Sequence, residues 1–544
     1  MTFQIIDLFA GPGGLGEGFA SYREGKTFQI SVSAEMESSA HQTLTLRSFF
    51  RNIRGDESAL KAYYDFCSME NAPHPSTLHP AAWKAAQAEA NQLTLGNPKD
   101  NVILDSLLKK AALREDETVL IGGPPCQAYS LVGRARNRGK LDYVAENDQR
   151  HFLYREYLRI LHQSRPAVFV MENVKGILSS RVGGKLVFHD ILRDLTDPGL
   201  ALGLDSGLKY TIHSLVSPTT FRPGMDPAAI DASDFIIEAE KYGIPQARHR
   251  VILIGVREDM AYDGRHRLKK TEQLTVRDAI GSMPHLRSRL SKGDSDSAWR
   301  QVVTSLARKM HYEAQSLGKK PLALLLESEA LGIGKTLETG AVRYRHRKLP
   351  EPSGIYHDWI NDDRLDVWLN HESRSHMPSD LGRYFYTAVF GRTYFRSPKG
   401  HYDFALKGLA PEHANWESGK FIDRFRVQQF DLPSSTVTSH IAKDGHYFIH
   451  PDPGQCRSLT VREAARLQTF PDNYFFQGNR TQQYHQVGNA VPSLLAYKIA
   501  AVVNDILTKQ DKFLEFQSPD GQSKFIQSDL DIQLTLPLDS ISLN

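Results

Sequence analysis

Several features are missing from this 544-residue chain, and each absence excludes a class of protein. It has only three cysteines, Cys67, Cys126 and Cys456, which lie far apart with no Cys-x-x-Cys pair. A disulfide framework and a structural zinc site are therefore not expected, and a reducing compartment is favoured. No run of about 18 or more consecutive apolar residues occurs, so we predict no membrane-spanning helix and no membrane partner.

The chain also lacks a strong charge of either sign, and we expect no signal peptide. Its net charge is +3, so overall charge alone identifies no nucleic-acid partner. The first residues lead straight into an apolar segment, without a preceding basic region, and this favours a cytoplasmic protein. With 40% hydrophobic residues, the composition is ordinary for a globular protein of two or three domains.

Near the start, a strand, a glycine-rich turn and a helix follow one another. Residues 4–9 are predicted as a strand, 10–16 are Ala-Gly-Pro-Gly-Gly-Leu-Gly, and a helix is predicted from about Glu17. Such a turn lets a ligand approach backbone N–H groups at the start of a helix. It is not a Walker loop, because the Gly-Lys-Ser/Thr ending is absent. A second strand, 29–34, ends at Glu35, where an acidic side chain commonly holds ribose hydroxyls, so we predict a nucleoside cofactor.

A second rigid corner follows an apolar strand at 118–121. Residues 122–130 are Gly-Gly-Pro-Pro-Cys-Gln-Ala-Tyr-Ser, in which glycine permits unusual dihedral angles and proline fixes its own. The corner places Cys126 at the carboxyl end of a strand, where reacting groups collect in α/β sheets. A cysteine can instead be a small buried hydrophobe, but the basic loop behind it favours a nucleophile. We predict that this loop, 127–150, is mobile and closes over the substrate.

Two further strands carry charged residues at an end. The apolar segment 167–171 leads into Glu172 and Asn173, and a carboxyl group in that position suits proton donation near neutral pH. A helix cap or a surface carboxylate is the alternative. Arg248 and Arg250 precede the apolar strand 251–255 and should point the same way if that stretch is extended. Paired guanidinium groups can hold a phosphate or a base edge.

Residues 260–455 have a different pattern. Basic residues mix with aromatic ones at 343–348, 383–386 and 391–396. Any one of these clusters could be a solvated surface, but three in one stretch predict a nucleic-acid surface. His371 and His376 lack further convincing ligands, so no metal site is predicted.

Regular helical patterns occupy two other parts of the chain. Residues 48–117 are predicted to be mostly helical and to form an insertion beside the sheet. After 455, a helix is predicted over 459–468, with Thr460 and Glu463 at capping-box spacing. A final amphipathic helix is predicted from Gln486 to about Asp505.

In chain order, these segments resemble the signatures of the bacterial DNA (cytosine-5)-methyltransferases. The matching segments are Asp-Leu-Phe-Ala-Gly-Pro-Gly-Gly at 7–14, Gly-Pro-Pro-Cys-Gln at 123–127, Glu-Asn-Val at 172–174, Gln-Ala-Arg-His-Arg at 246–250, Leu-Thr-Val-Arg-Glu-Ala-Ala-Arg-Leu-Gln at 459–468 and Gln-Val-Gly-Asn-Ala at 486–490. One such match is a weak signal, whereas all of them in order form a specific one. The stretch between the fourth and fifth matching segments has no counterpart among these signatures.

The resemblance implies an α/β fold with a Rossmann-like, S-adenosylmethionine-dependent methyltransferase domain and an inserted, smaller target-recognition domain. We expect the first part of the catalytic domain at 1–260, the target-recognition domain at 261–455, the completing part of the catalytic domain at 456–508, and a loosely held tail at 509–544.

The resemblance also implies a set of S-adenosylmethionine contacts. Phe9 is expected to stack near the adenine, Glu35 to hold the ribose hydroxyls, and Met36 to stand against the adenine ring, where an aromatic residue is common. The other implied cofactor-binding residues shape the turn or line the pocket: Gly11, Pro12, Gly14, Leu153 and Asn489. The acidic residue that usually reads the adenine amino group has no clear counterpart, and Asp100 and Asp105 are weak candidates.

The implied reaction is methyl transfer to carbon 5 of a cytosine flipped out of duplex DNA. The Cys126 thiolate adds to carbon 6, which makes carbon 5 nucleophilic. Glu172 hydrogen-bonds or protonates ring nitrogen 3, and Asn173 fixes its direction. Arg250 holds the oxygen on carbon 2, and Arg248 holds the neighbouring backbone or Glu172.

Three other functions have to be weighed against this one. An RNA cytosine-5 methyltransferase is disfavoured by the long basic and aromatic stretch, and a catalytically inactive DNA-binding relative by the presence of Cys126, Glu172 and Arg250. A nicotinamide-dependent enzyme would have no use for the Pro-Pro-Cys corner. We expect a monomer on DNA. The sequence leaves open the target site and whether a separately encoded restriction endonuclease or a defence system is the partner.

Overall fold

A computed structural model describes residues 2–125, 149–182, 184–334, 336–349, 352–411, 416 and 424–514, with backbone only at 149–152 and 509–514. Cys126, the predicted loop up to residue 148 and the predicted tail from residue 515 lie outside these ranges.

The strands are, in chain order, β1 (Phe3–Leu8), β2 (Phe28–Glu35), β3 (Ala90–Gln92), β4 (Thr118–Gly122), β5 (Val168–Val174), β6 (Arg181–Val182), β7 (Lys185–Leu186), β8 (Tyr210–His213), β9 (Thr220–Phe221), β10 (Ile236–Glu238), β11 (Gln246–Ala247), β12 (His249–Arg257), β13 (Arg289–Leu290), β14 (Gly340–Tyr344), β15 (Trp368–Glu372), β16 (Ser375–His376) and β17 (Ser434–Ser435).

The α-helices span Gly14–Ser21, Ser38–Asn52, Glu57–Ser68, Pro75–Leu78, Pro80–Glu89, Pro98–Lys110, Gln149–Ser164, Val187–Thr196, Pro198–Ala201, Val276–Ile280, Asp296–Ser316, Lys320–Gly332, Ile355–Ile360, Pro378–Tyr394, Gly400–Asp403, Val461–Leu467, Arg480–Asn489 and Ser493–Leu514.

A nine-stranded sheet organises the molecule, in the order β3-β2-β1-β4-β5-β12-β8-β9 with β10 beside β12. The strands from β3 to β5 are parallel, whereas β12 runs antiparallel to β5. Leu8 pairs with Gly122 and Gly122 with Met171, so the carboxyl ends of β1, β4 and β5 lie side by side. Antiparallel β12 begins at the same edge, where Arg250 pairs with Val174.

Helices cover both faces of the sheet, as its alternating side chains require. Ile5 on one face joins the core that includes Phe19 and Ile499, and Ile6 on the other face joins the core that includes Leu104 and Tyr157. The fold is therefore a Rossmann-like α/β fold, as the sequence predicted.

The stretch at 48–117 contributes more than an insertion beside the sheet. It supplies the edge strand β3 to the sheet, and β4 follows directly after it at Thr118. Its helices also form a core of their own around Phe49 and Tyr63, into which Leu365 and Leu369 pack.

Residues 261–455 contribute to two cores besides the one around Phe49 and Tyr63. The helices Asp296–Ser316, Lys320–Gly332 and Pro378–Tyr394 surround Trp299, which is fully buried. In contrast, Tyr344 in β14 and Trp368 in β15 join the core beneath the main sheet. The three-helix core is thus distinct from the sheet, while the strands between its helices attach to the sheet.

The prediction of one final helix from Gln486 is wrong. Gln486 lies near the end of the helix Arg480–Asn489, and a new helix begins at Ser493. Pro492 accounts for the break, because it lacks an N–H group and disfavours a helical conformation in the residue before it. By length and composition, the segment Arg480–Thr508 could cross a membrane, but 72% of its most apolar window is buried in the protein, as in a core helix.

Candidate active site

The glycine-rich turn after β1 has the unusual backbone that its sequence permits. Gly11 has a φ of 58° and Gly13 one of 98°, a region in which glycine is unstrained. Phe9 also has a positive φ, 57°, directly after the strand. A Cβ on Gly14 would lie 2.4 Å from the Val491 carbonyl oxygen, so that position has no room for a side chain.

Glu35 connects the end of β2 to this turn. Its Oε2 accepts a hydrogen bond from the Gly11 N–H at 2.8 Å, and its Oε1 accepts one from the Glu37 N–H at 2.7 Å. Burial raises the pKa of Glu35, and these backbone donors oppose the rise. The carboxyl group therefore has a fixed position and keeps unused lone pairs for a ligand.

The other predicted cofactor residues lie around the turn. Among the described residues, no atom comes within 4 Å of a Cβ placed on Gly11, so the turn faces open space. Met36, directly after Glu35, is 61% exposed, and Asn489 is exposed at the end of its helix. The residue after Asn489, Ala490, packs against Gly14, with its Cβ 3.3 Å from the position of a Gly14 Cβ.

Pro12, Phe9 and Leu153 complete the predicted set. The hydroxyl of buried Tyr474 donates a hydrogen bond to the Pro12 carbonyl. Phe9 and Leu153 are partly buried and pack against the same hydrophobic core on one face of the sheet. A fixed carboxyl group that can accept hydrogen bonds from ribose hydroxyls, the exposed Met36 side chain and the open space beside Gly11 fit a nucleoside cofactor.

The two weak candidates for an adenine contact have other partners. Asp100 accepts a hydrogen bond from the Thr94 N–H at 2.8 Å. Asp105 forms an ion pair with Arg159 at 2.6 Å. Both contacts stabilise the start of the helix Pro98–Lys110 and its packing.

Glu172 and Arg250 meet on neighbouring strands. The Arg250 Nε lies 3.0 Å from Glu172 Oε1, and both side chains are only 14% exposed. A Cβ on Gly123 would come within 3.0 Å of Glu172 Oε2, so the glycine leaves this carboxylate space at the corner. The pair therefore lies directly beside the Gly-Pro-Pro corner that precedes Cys126.

Asn173 ties that corner to β5. Its Nδ2 donates a hydrogen bond to the Pro124 carbonyl at 3.2 Å, and its Oδ1 accepts one from the Val174 N–H at 2.8 Å. The side chain is buried, so both contacts are shielded from water. The position of Pro124, two residues before Cys126, is thus fixed relative to Glu172.

Arg248 is buried next to this pair. Its Nη1 donates a hydrogen bond to the Val437 carbonyl at 2.7 Å, while its Nε has no hydrogen-bond partner within the described part of the chain. Burial lowers the pKa of Arg248, the charge of Arg250 lowers it further, and Glu172 opposes both. One carboxylate thus faces two guanidinium groups, which leaves the site with an excess of positive charge.

The contact with Val437 has no counterpart in the sequence analysis. A backbone carbonyl can come from any residue type, so no sequence signal identifies Val437 as the partner of Arg248.

One of the three basic and aromatic clusters is not a surface. Tyr384, Phe385 and Tyr386 are fully buried in the three-helix core, and Arg383 is buried against Asp380. The prediction of a nucleic-acid surface at 383–386 is therefore wrong, because every residue of the helix Pro378–Tyr394 from Asp380 to Gly391 is buried. Composition alone cannot distinguish such a helix from a surface one.

The other two clusters are more exposed. In the cluster 343–348, the Arg343 guanidinium lies over the rings of Phe66 and Phe475. In the cluster 391–396, Phe395 is 81% exposed.

No group of three or more potential metal ligands occurs among the residues that the structure describes. Both ring nitrogens of buried His371 are hydrogen-bonded, one to Thr460 and the other to the Pro284 carbonyl.

Comparison with known proteins gives a consistent family. The family model for C-5 cytosine-specific DNA methylases matches residues 94–205 and 231–505. Type II methyltransferase M.Bpa9945I of Bacillus paralicheniformis is 32% identical over 526 residues, covering 92% of this chain and 99% of that protein. Type II methyltransferase M.AgeI of Thalassovita gelatinovora is 27% identical over 533 residues, with coverage of 92% and 99%.

A solved structure supports the fold alone. It is an E. coli protein described as a DNA modification methyltransferase encoded within a prophage, and it covers 93% of this chain with a TM-score of 0.52 at 19% identity.

Proposed function

Because this chain belongs to the C-5 cytosine-specific DNA methylases, enzymes that use S-adenosylmethionine to methylate cytosine in DNA, we propose that it acts on a flipped-out cytosine through a covalent Cys126 adduct. The observation that carries this proposal is the Glu172–Arg250 pair beside the Gly-Pro-Pro corner. The corner leads directly into Cys126.

The glycine-rich turn is the proposed cofactor site. Glu35 would hold the ribose hydroxyls, with Phe9 and Met36 near the adenine. The remaining residues would shape or line the site: Gly11, Pro12, Gly14, Leu153 and Asn489. When bound, S-adenosylmethionine supplies an electrophilic methyl group to carbon 5 of the cytosine.

The chain's own residues make carbon 5 reactive. The Cys126 thiolate forms a bond to carbon 6, and the electrons of the 5,6 double bond shift to give a nucleophilic enamine. Glu172 donates a proton or hydrogen bond at ring nitrogen 3, where charge accumulates, and Arg250 holds the oxygen on carbon 2. With carbon 5 methylated, a base removes its proton, the double bond re-forms and Cys126 leaves as a thiolate.

Arg248 and Asn173 would act through these groups. Arg248 is anchored on the Val437 carbonyl and adds positive charge beside Glu172. Asn173 holds the corner before Cys126. The cytosine has to leave the duplex to reach them, at a cost of a few kcal/mol.

The biological setting is also a proposal. The relatives are named type II methyltransferases, and we propose that this enzyme likewise modifies one duplex sequence as part of a restriction-modification system, as a monomer in the cytoplasm. The stretch 261–455, with its three-helix core, would read the target sequence.

The decisive experiment combines two assays on the same protein. Bisulfite sequencing of DNA from a host that expresses the chain is expected to show 5-methylcytosine at one recurring sequence. In vitro, tritium from labelled S-adenosylmethionine is expected to appear in duplex DNA and not in tRNA. Label in tRNA alone would favour the RNA methyltransferase, and label in neither would favour an inactive relative.

The covalent step predicts complete loss of activity in a Cys126→Ser variant, because a hydroxyl is a far weaker nucleophile than a thiolate near neutral pH. Tritium transfer to duplex DNA measures this, and Cys67→Ser is the matched control, since Cys67 is buried in the separate core around Tyr63. Equal activity of the Cys126→Ser variant and the wild type would contradict the assignment of the nucleophile.

A further inference from the structure

Two fully buried glutamines lie between two parts of the candidate site, the group of Glu172, Arg248 and Arg250 and the glycine-rich turn. Gln246 in β11 precedes Arg248, and Gln468 follows the helix Val461–Leu467. The Gln246 Nε2 donates hydrogen bonds to Gln468 Oε1 at 3.0 Å and to the Leu467 carbonyl at 3.1 Å. The two side-chain amides therefore form a direct contact across 222 positions of sequence.

On one side, this contact reaches the anchor of Arg248. The Gln246 Oε1 accepts a hydrogen bond from the Val437 N–H at 2.7 Å, and the carbonyl of the same residue accepts the bond from Arg248. The adjacent backbone is also paired, because β11 runs parallel to β17 and the Thr436 hydroxyl donates to the Ala247 carbonyl. Gln246 thus fixes the residue that fixes Arg248.

On the other side, the contact reaches the turn against the proposed cofactor site. The Gln468 Nε2 donates hydrogen bonds to the Val487 carbonyl at 2.7 Å and to the Ala490 carbonyl at 3.2 Å. Ala490 directly follows Asn489 and packs against Gly14. Gln468 thus fixes the backbone where the helix Arg480–Asn489 ends beside the glycine-rich turn.

We propose that Gln246 and Gln468 are positioning residues, which hold the Arg248–Arg250 strand at a fixed distance from the cofactor turn. The proposal rests on the proposed function, because that function assigns Arg248 and Arg250 to the base and the glycine-rich turn to the cofactor. Every N–H of both side-chain amides has an acceptor. Because a buried amide that loses a partner costs free energy, a shift of one glutamine relative to the other is unfavourable. Methyl transfer needs such rigidity, since a misplacement of about 1 Å can cost about a hundredfold in rate.

The test uses Gln→Met substitutions, which keep the side-chain volume and remove the hydrogen bonds. The variants are Gln246→Met, Gln468→Met and the double variant. Gln455→Met is the control, because Gln455 is also a buried glutamine with several hydrogen bonds, to Leu286, Arg457 and Asp452. Its partners lie outside the candidate site.

Three readouts separate positioning from general stability. The single-turnover rate of methyl transfer is expected to fall about tenfold or more in each single variant, with KM values for DNA and cofactor nearly unchanged. The double variant is expected to be no slower than the slower single variant, since both remove one unit. In the absence of cofactor, hydrogen exchange is expected to speed up at the Val437 amide in Gln246→Met but not in Gln455→Met.

The outcomes are distinguishable from a failure of the proposed function. If the wild type methylates DNA but both single variants keep its single-turnover rate, or Gln455→Met loses as much, the positioning role is wrong and the proposed function stands. A wild type that transfers no methyl group to DNA overturns both.

Discussion

At the scale of single residues, the site holds several charged groups close together, and their burial costs free energy. Arg248 and Arg250 are buried against one carboxylate, Glu172, and burial lowers the pKa of both arginines. Buried charges are tolerated when they are paired and hydrogen-bonded, and here the pairing is incomplete. An excess of positive charge suits a substrate on which negative charge develops at an oxygen or a ring nitrogen.

Replacing Glu172 by glutamine is expected to slow methyl transfer by about a hundredfold to ten-thousandfold, the usual range for losing a general acid. The amide keeps the shape of the side chain but cannot deliver a proton to ring nitrogen 3. Single-turnover kinetics on duplex DNA measure the effect. Glu238→Gln is the control, because Glu238 lies on β10 of the same sheet and pairs with Lys241 outside the site. Equal rates for the two variants would contradict the role of Glu172.

A second residue-scale prediction concerns Asp7, the single acidic residue of β1. Its carboxyl group is buried without a hydrogen-bond partner among the described residues, and burial raises its pKa to about 8. Arg51 opposes the rise, whereas Glu89 and Glu35 add to it. The folded protein therefore holds a proton that the unfolded chain releases near pH 4.

Because the folded-state pKa of Asp7 is raised, its contribution to stability is complete below the unfolded value and is lost as pH rises towards 8. As pH rises from about 4 to about 8, the free energy of unfolding is expected to fall by about 1.4 kcal/mol per pH unit from this group alone. Asp7→Asn mimics the protonated form and should remove that slope. Denaturant titrations of both proteins from pH 6 to 9 measure it, and parallel curves would show that Asp7 does not titrate this way.

At the scale of elements, the strands and turns near the site were predictable, because their signals are local. The predicted strands 118–121 and 29–34 are observed as β4 (Thr118–Gly122) and β2 (Phe28–Glu35). The capping box at Thr460 and Glu463 is confirmed, with both reciprocal hydrogen bonds present. Local turn and cap chemistry depends on side chains a few residues apart, so one sequence suffices to recognise it.

Other elements could not be predicted, because long-range contacts determine them. The contact of Arg248 with Val437 and the Gln246–Gln468 pair join residues that are about two hundred positions apart, through backbone groups and neutral amides. The burial of Tyr384 and its neighbours depends on helices that enclose them. Neither arrangement leaves a periodic or compositional signal.

Two glycines in helices allow a prediction about packing. A Cβ on Gly18 would lie 2.4 Å from the Ala496 Cβ, so the helices Gly14–Ser21 and Ser493–Leu514 touch through this glycine. Gly18→Ala is expected to destabilise the protein by about 1–3 kcal/mol, as overpacking usually does. A Cβ on Gly332 would meet no described atom within 4 Å, so Gly332→Ala should be neutral or slightly stabilising. Thermal unfolding of both variants measures the difference, and equal midpoints would contradict the close helix contact.

At the scale of the whole molecule, the sheet with its site and the three-helix core are built separately. Among the described residues, the core around Trp299 contains none from the nine-stranded sheet, whereas Tyr344 of β14 and Trp368 of β15 belong to the core on one face of the sheet. Such a division suits a protein in which one part performs the chemistry and another part selects the substrate. Of the predicted nucleic-acid clusters, the segment 391–396 is the one that extends from the three-helix core into solvent.

That segment gives a test of which surface meets DNA. Phe395 is 81% exposed, has a φ of 54° and directly follows the helix Pro378–Tyr394. The hydroxyl of nearby Ser397 is hydrogen-bonded to both backbone groups of Val427, so the segment is firmly attached. An exposed ring on a fixed support can stack on a base, a contact whose loss costs about 1–3 kcal/mol. Phe395→Ala is therefore expected to weaken binding of target duplex about tenfold while leaving the single-turnover rate at saturating DNA unchanged.

Tyr312→Ala is the matched control, because Tyr312 is a 67% exposed ring on another helix of the same core. Fluorescence anisotropy with labelled duplex compares the two, and equal affinities for both variants and the wild type would place the DNA surface elsewhere on the molecule.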